Sequence, residues 1–201
     1  MRNAAKWDEA YSGSELVWSA EPNRWVAEIA RDWTPGKAID LAAGEARNSL
    51  WLAGLGWTVR AVDFSQIGLD KGRQLAERFG VGERLTWECA DLTAYTPERG
   101  AYDLVLVSYL HLGGADRPPI VRRAADAVAP GGRLLIVGHD LANLTRGVGG
   151  PQDPAVLYTA DDLRAETGGT GLTIESAGER LRPVDGNDRP AVDVVFVARR
   201  D

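Results

Sequence analysis

Short apolar runs alternate with stretches of helical spacing along most of this chain, and that alternation limits its fold more than any other feature. KAIDL (37–41), TVRAVD (58–63), RLTWECAD (84–91), YDLVLVSYL (102–110) and RLLIVGHD (133–140) read as five strands. The fourth is apolar almost throughout, as a strand covered on both faces must be. Residues 22–33 read as a helix, with Pro22 in its first turn and Val26, Ile29, Ala30 and Trp33 on one face. Residues 46–55 read as a second helix, stopped by Gly56. Ser65 caps a third, whose inner side is Gly68, Gly72, Leu75, Ala76 and Phe79. Its two glycines let it sit close to a sheet. Pro118 and Pro119 open a fourth, which APGG ends. Strands alternating with helices imply a parallel, doubly wound α/β sheet.

The pattern changes after residue 140. NLTRGVGGPQDP is a glycine- and proline-rich loop, and TADDLRAET is a short helix with Thr159 as N-cap and Asp162 three residues later. TIESAGERLRP and AVDVVFVARR are strands joined without a helix, so they run antiparallel. The expected architecture is a Rossmann-like, doubly wound, seven-stranded sheet, mostly parallel with an antiparallel last strand. It forms one domain over residues 1–201, with a helical lid region at 1–35 and the core at 36–201.

Composition narrows the function classes. With 23 basic and 29 acidic residues the net charge is −6, which disfavours a nucleic-acid backbone as the main partner. Cys89 is the only cysteine, so no intrachain disulfide can form; it reads as a small core residue within its strand. Two histidines and one cysteine argue against a structural zinc site, and no metal is expected. The start has no apolar signal core and no run reaches membrane-spanning length, so a cytoplasmic protein with no membrane partner is expected. Nothing in the sequence indicates an oligomeric state.

Asp40, Asp63 and Asp91 end the first three predicted strands, all on one edge of the sheet. Ligands of such sheets bind beyond the carboxyl ends of the strands. Asp63 lies 23 residues after Asp40, near the offset at which an acidic residue grips ribose hydroxyls. Phe64 can lie against a purine, and Asp91 can accept from its exocyclic amine. A lone aspartate of this kind would be a strand-end cap; three in matching register favour an adenosine site. A diphosphate needs several glycines in the first loop so that backbone amides can approach it. Here LAAGEAR offers only Gly44. S-adenosylmethionine has no phosphate, and its cationic groups suit a site lined with carboxylates.

These residues, in order, resemble the class I S-adenosylmethionine-dependent methyltransferases. DLAAGEARN is similar to their first motif, VDFS to the end of their second strand, and ADL at 90–92 to their adenine contact. YDLVLVSYLHL and APGGRLLIVG are similar to their fourth- and fifth-strand motifs, so the match runs from about 36 to 138. Within the class, GEARNSLWLAGLGWTVRAVD is most similar to the tellurite-resistance and thiopurine methyltransferase-like branch. The resemblance implies S-adenosylmethionine as cofactor and S-adenosylhomocysteine as product. It assigns cofactor contacts to Asp40, Ala42, Gly44, Asn48, Asp63, Phe64, Asp91, Leu92 and Ser108. Ala42 and Ala46 stand where the family commonly has glycine. Alanine resists positive φ and adds a methyl beside the ligand, so either both positions have ordinary φ, which is the expectation, or cofactor binding is weakened.

His111 follows the fourth strand and His139 the fifth, where the transferred methyl group should point. Each is a candidate general base. For His111 local packing competes strongly with that role, whereas His139 has Asp140 beside it to orient the ring. Tyr109 either packs or contacts ligand. Trp7, Tyr11 and Trp18 precede the core fold and are candidates for an aromatic lid over the substrate, against the alternative that they are core. The expected function is in-line methyl transfer to a small-molecule acceptor through an O, N, S or chalcogen nucleophile. A non-catalytic S-adenosylmethionine binder and a nicotinamide-dependent reductase on a related fold are the alternatives.

Overall fold

In a computed structural model, described for residues 4–13, 16–17 and 19–201, the chain forms a seven-stranded mixed sheet with helices. It divides into two units, residues 1–96 and 97–201. The first unit contains α1 (Ala4–Tyr11), α2 (Arg24–Ala30), β1 (Lys37–Leu41), α3 (Arg47–Gly54), β2 (Thr58–Asp63), α4 (Gln66–Arg78) and β3 (Leu85–Cys89). Its strands lie in the order β3-β2-β1, all parallel, with Asp40 opposite Ala61 and Asp63 opposite Cys89. The last four residues of β1 are buried, and Val59, Ala61 and Val62 of β2 are fully covered.

Ser65 caps α4 as its sequence predicts: its hydroxyl accepts from the Gly68 amide at 3.1 Å. The inner side of α4 is Gly68, Leu69, Gly72 and Ala76. Phe79, expected inward, is 52% exposed, because it is the C-cap residue and the helix ends before it turns in. A Cβ at Gly72 would stand 2.8 Å from the Trp87 ring and 3.0 Å from the Ala46 methyl, so only glycine lets α4 come this close to β3 and the loop after β1. The helix before β1 starts at Arg24, and its cap is Asn23, whose side chain accepts from the amides of Trp25 and Val26. Pro22 therefore lies outside it. β3 ends at Cys89, two residues before Asp91, and Cys89 is exposed instead of core.

The second unit contains β4 (Tyr102–Ser108), α5 (Arg117–Ala127), β5 (Val128–His139), α6 (Asn143–Arg146), α7 (Ala160–Thr167), β6 (Leu172–Arg182) and β7 (Ala191–Arg200). Its strands lie in the order β4-β5-β7-β6, with β4 and β5 parallel and β7 antiparallel to both neighbours. β5 begins at Val128, ahead of the APGG turn expected to precede it, with a register irregularity against β4 where that turn is absorbed. Gly132 makes this possible, since a Cβ there would meet the Tyr102 carbonyl at 2.8 Å. Thr159 and Asp162 close the expected capping box on α7. α5 is tied to α7 by the buried pair Arg117–Glu166, bonded through Nε and Nη2 at 3.0 and 2.6 Å. Among the described residues no helix is long and apolar enough to cross a membrane.

Candidate active site

The loop between β1 and α3 carries three left-handed residues in alternation: Ala42 (φ 66°), Gly44 (φ 57°) and Ala46 (φ 62°). The expectation of ordinary φ at the two alanines is overturned. The chain must turn sharply from β1 into α3 while three amides stay bonded. Ala43 donates to the Val62 carbonyl, Gly44 to Asp63 Oδ2 and Ala46 to the Ala43 carbonyl. That closure outweighs the roughly 1 kcal/mol by which alanine disfavours the left-handed region. The Ala46 methyl is fully buried against Ala61, Leu69, Ala43 and Trp87, so it joins the core and not a ligand surface.

Asp40 is completely buried. Its Oδ2 accepts from the Ser49 hydroxyl at 2.7 Å, while Oδ1 has no hydrogen-bond partner among the described residues. Burial pushes its pKa up to about 7; the Ser49 bond opposes the shift, the Asp63 charge adds to it, and the Arg47 charge opposes it. A buried carboxylate with one oxygen unmatched is a poor end state for a protein alone. It fits a cationic hydrogen-bond donor supplied by a ligand. Asp63, 4% exposed, accepts from the Gly44 and Ser65 amides, both at 2.9 Å. Burial raises its pKa, the amides oppose that, and the charge of Asp8 adds to it. Each oxygen keeps a second lone pair for a hydroxyl group. Phe64 beside it is partly exposed.

The other predicted cofactor residues divide. Leu92 is buried and Ser108 nearly so. Asp91 is exposed and its Oδ1 accepts from both the amide and the hydroxyl of Thr93 at 2.8 Å, which is the capping alternative for that oxygen. Asn48 Oδ1 accepts from the Asn23 amide at 2.8 Å, so this side chain fastens the start of α2 to α3. Three contributors were missed: Ser49, Glu45 and Asp8. Glu45 is buried, with Oε1 facing the Lys71 ammonium at 3.2 Å and the Val17 amide at 3.3 Å. Asp8 accepts from the Ser65 hydroxyl. Tyr11 is 4% exposed, lies against Gly68 and stacks on Trp7 with ring centroids 5.3 Å apart. Tyr11 thus takes the core position weighed against a lid role, and Trp7 is partly buried. Trp18 lies outside the described residues.

In the second unit the two histidines come together at the ends of the neighbouring strands β4 and β5. Their rings stack at 5.4 Å and 20°, with Tyr109 tilted against His139 at 5.0 Å and Tyr158 against His111 at 5.9 Å. His111 Nδ1 is 3.2 Å from the Val156 carbonyl. The pairing of His139 with Asp140 is overturned. Asp140 Oδ1 turns back to accept from the Ala142 amide at 2.8 Å, and burial raises its pKa. The carboxylate facing His139 is Asp193, with Oδ1 3.3 Å from Nδ1. Asp193 is the one acidic residue inside the buried run AVDVVFVA, which is the signal that could have marked it. Tyr109 has φ 52° and donates its hydroxyl to Asp193 Oδ2 at 3.0 Å.

Residues 38–132 match the family described as "Methyltransferase domain". Over 128 residues, 62% of this chain, the sequence is 30% identical to a demethylmenaquinone methyltransferase of Clavibacter sepedonicus and covers 48% of it. The chain spans about half the length of that relative. The fold is similar to a structure described under the conversion of a disulfide bond into a thioacetal group during echinomycin biosynthesis. That likeness has a TM-score of 0.76 at 24% identity, covering 98% of this chain and 92% of the other. It is also similar to TehB from Haemophilus influenzae, with a TM-score of 0.73 at 18% identity, covering 98% and 67%. With the ordered motifs, the seven-stranded sheet and the buried carboxylates in place, residues 38–132 of this chain are similar to a methyltransferase domain.

Proposed function

We propose that the whole chain is a cytoplasmic, S-adenosylmethionine-dependent methyltransferase of a small-molecule acceptor, acting as one domain over residues 1–201. The observation that carries this reading is Asp40 Oδ1, fully buried and without a hydrogen-bond partner among the described residues. An ammonium or sulfonium-bearing ligand supplies the positive charge it lacks. Asp63 would hold the ribose hydroxyls, Phe64 the adenine face and the free Asp91 oxygen its amine, with Gly44, Ala42 and Leu92 lining the same ligand. The cofactor, when bound, supplies an electrophilic methyl group.

The residues do the rest by positioning and by excluding water. His139 takes the proton of an O, N or S acceptor, and His111 packs beside it, shaping the acceptor pocket with Tyr109. An acceptor that is already an anion needs no base. The acidic charge and the acceptor side built from aromatic rings favour a small metabolite over nucleic acid. The relative named above points the same way, since its name specifies demethylmenaquinone.

Calorimetric titration with S-adenosylmethionine, S-adenosylhomocysteine and NADH tests the binding half of the proposal. Micromolar binding of the first two and none of NADH is expected, weakened in Asp63→Asn. Turnover across a panel of small acceptors, with His139→Ala as control, tests the chemistry. Binding without turnover on any acceptor would leave a cofactor binder only, and NADH binding alone would leave a reductase.

A further inference from the structure

We infer that Asp193 is a positioning residue for His139, holding the ring with its proton on Nδ1 so that Nε2 is the basic nitrogen. This rests on the reading of His139 as the acceptor-side base. The sheet register places the two residues directly opposite on the antiparallel strands β5 and β7. Cross-strand partners of this kind have adjacent side chains on one face. Asp193 is completely buried, so its charge must be matched inside the protein. Arg182 on β6 does so, with Nε 2.7 Å from Oδ2 and Nη2 3.4 Å from Oδ1, and Tyr109 adds its hydroxyl on Oδ2. Burial works against the Arg182 charge, and the bond to Asp193 together with the charges and hydrogen bond of Tyr109 and Asp193 around it more than compensates.

Oδ2 is thereby committed, and Oδ1 faces His139 Nδ1 at 3.3 Å. That nitrogen is buried and has no aligned hydrogen bond, so the contact is a close approach. A carboxylate only accepts, so it favours the ring form that carries its hydrogen on Nδ1. The neutral ring then holds its lone pair on Nε2. Gly150 is built for that arrangement. Its φ is 71°, and a Cβ there would stand 2.7 Å from Nε2 and 2.6 Å from Cδ2. The groups around the ring are therefore Asp193 and, through it, Arg182, together with Tyr109 and the stacked His111. Arg182 and Tyr109 anchor Asp193 through Oδ2, so its role toward the ring is to orient it.

The chain has two histidines, so long-range proton–nitrogen spectra of the full-length protein labelled with nitrogen-15 histidine show two rings, assigned with His111→Gln. Neutral His139 is expected as the Nδ1–H form. In Asp193→Asn the ring should move toward the Nε2–H form. On an acceptor found in the panel, kcat should fall roughly 10- to 100-fold with KM for S-adenosylmethionine unchanged. An Nε2–H form in the unmutated protein overturns the inference, even where the variant fails to fold. So does a ring whose tautomer is the same in Asp193→Asn. Full turnover by His139→Ala, with the tautomer as expected, removes the base reading and leaves Asp193 as the group that sets the ring.

Discussion

Asp63 in the first unit and Asp193 in the second are both buried aspartates, and they are held in opposite ways. Asp63 is bonded by the backbone amides of Gly44 and Ser65. Asp193 is bonded by the side chains of Arg182 and Tyr109. Amides satisfy a carboxylate without cancelling its charge, so the groups bonded to Asp63 leave it without a countercharge of their own. That suits a cationic ligand. Arg182 cancels the charge of Asp193, and the second unit is left electrically balanced around an imidazole. That suits the base role proposed for His139.

The comparison can be broken most strongly at Asp40. Its folded pKa of about 7 lies above the ordinary carboxyl value, so the folded state binds the extra proton between about pH 4 and pH 7. Stability contributed by this group is therefore full below about pH 4 and falls as pH rises to about 7, by roughly 4 kcal/mol. Asp40→Asn should match the unmutated protein near pH 4.5 and exceed it at pH 8 in urea unfolding without ligand, while binding S-adenosylmethionine poorly. Equal stability of the two at both pH values would show that Asp40 carries no such strain.

In the second unit Arg182→Ala removes the cation that matches Asp193. A loss of about 3 kcal/mol is expected, the low end for a broken buried pair, because the Arg182 side chain is 25% exposed. Calorimetric unfolding at pH 7 measures it. Asp63→Asn sharpens the contrast at a smaller scale. Cofactor affinity should drop by about 2 kcal/mol and stability by about 1 kcal/mol, since one amide donor is left facing another. Titration and unfolding of the same preparation separate the two. The smallest effects belong to the loop. Ala42→Gly should stabilise by up to about 1 kcal/mol by relieving the left-handed alanine. Ala46→Gly should be near neutral, because the same relief is offset by about 0.8 kcal/mol of lost methyl burial.

The first unit was the more legible of the two in the sequence, for a physical reason. The Ser65 cap and the Asp63 turn are local devices, closed by residues two or three positions apart. The Asp193 cluster joins Tyr109 to a residue 84 positions away, and only the antiparallel register of β5 and β7 brings His139 to it. Asp140 was the nearer carboxylate in sequence, and it was the wrong one. The alanines at 42 and 46 misled in a different way. Their intrinsic preference was read correctly, but the bonds of the loop to β2 and the space given up by Gly72 override it.

Cys89 offers a practical handle. It is the chain's single cysteine, exposed, with Sγ 3.5 Å from the Phe64 carbonyl. A thiol-reactive dye would attach once per molecule, next to the residue assigned to the adenine face. Partial desolvation, with the charges of Asp63, Asp8 and Asp70, pushes the thiol pKa up, so labelling runs faster in mildly alkaline buffer. Its emission would then report cofactor occupancy in real time, before any acceptor is known.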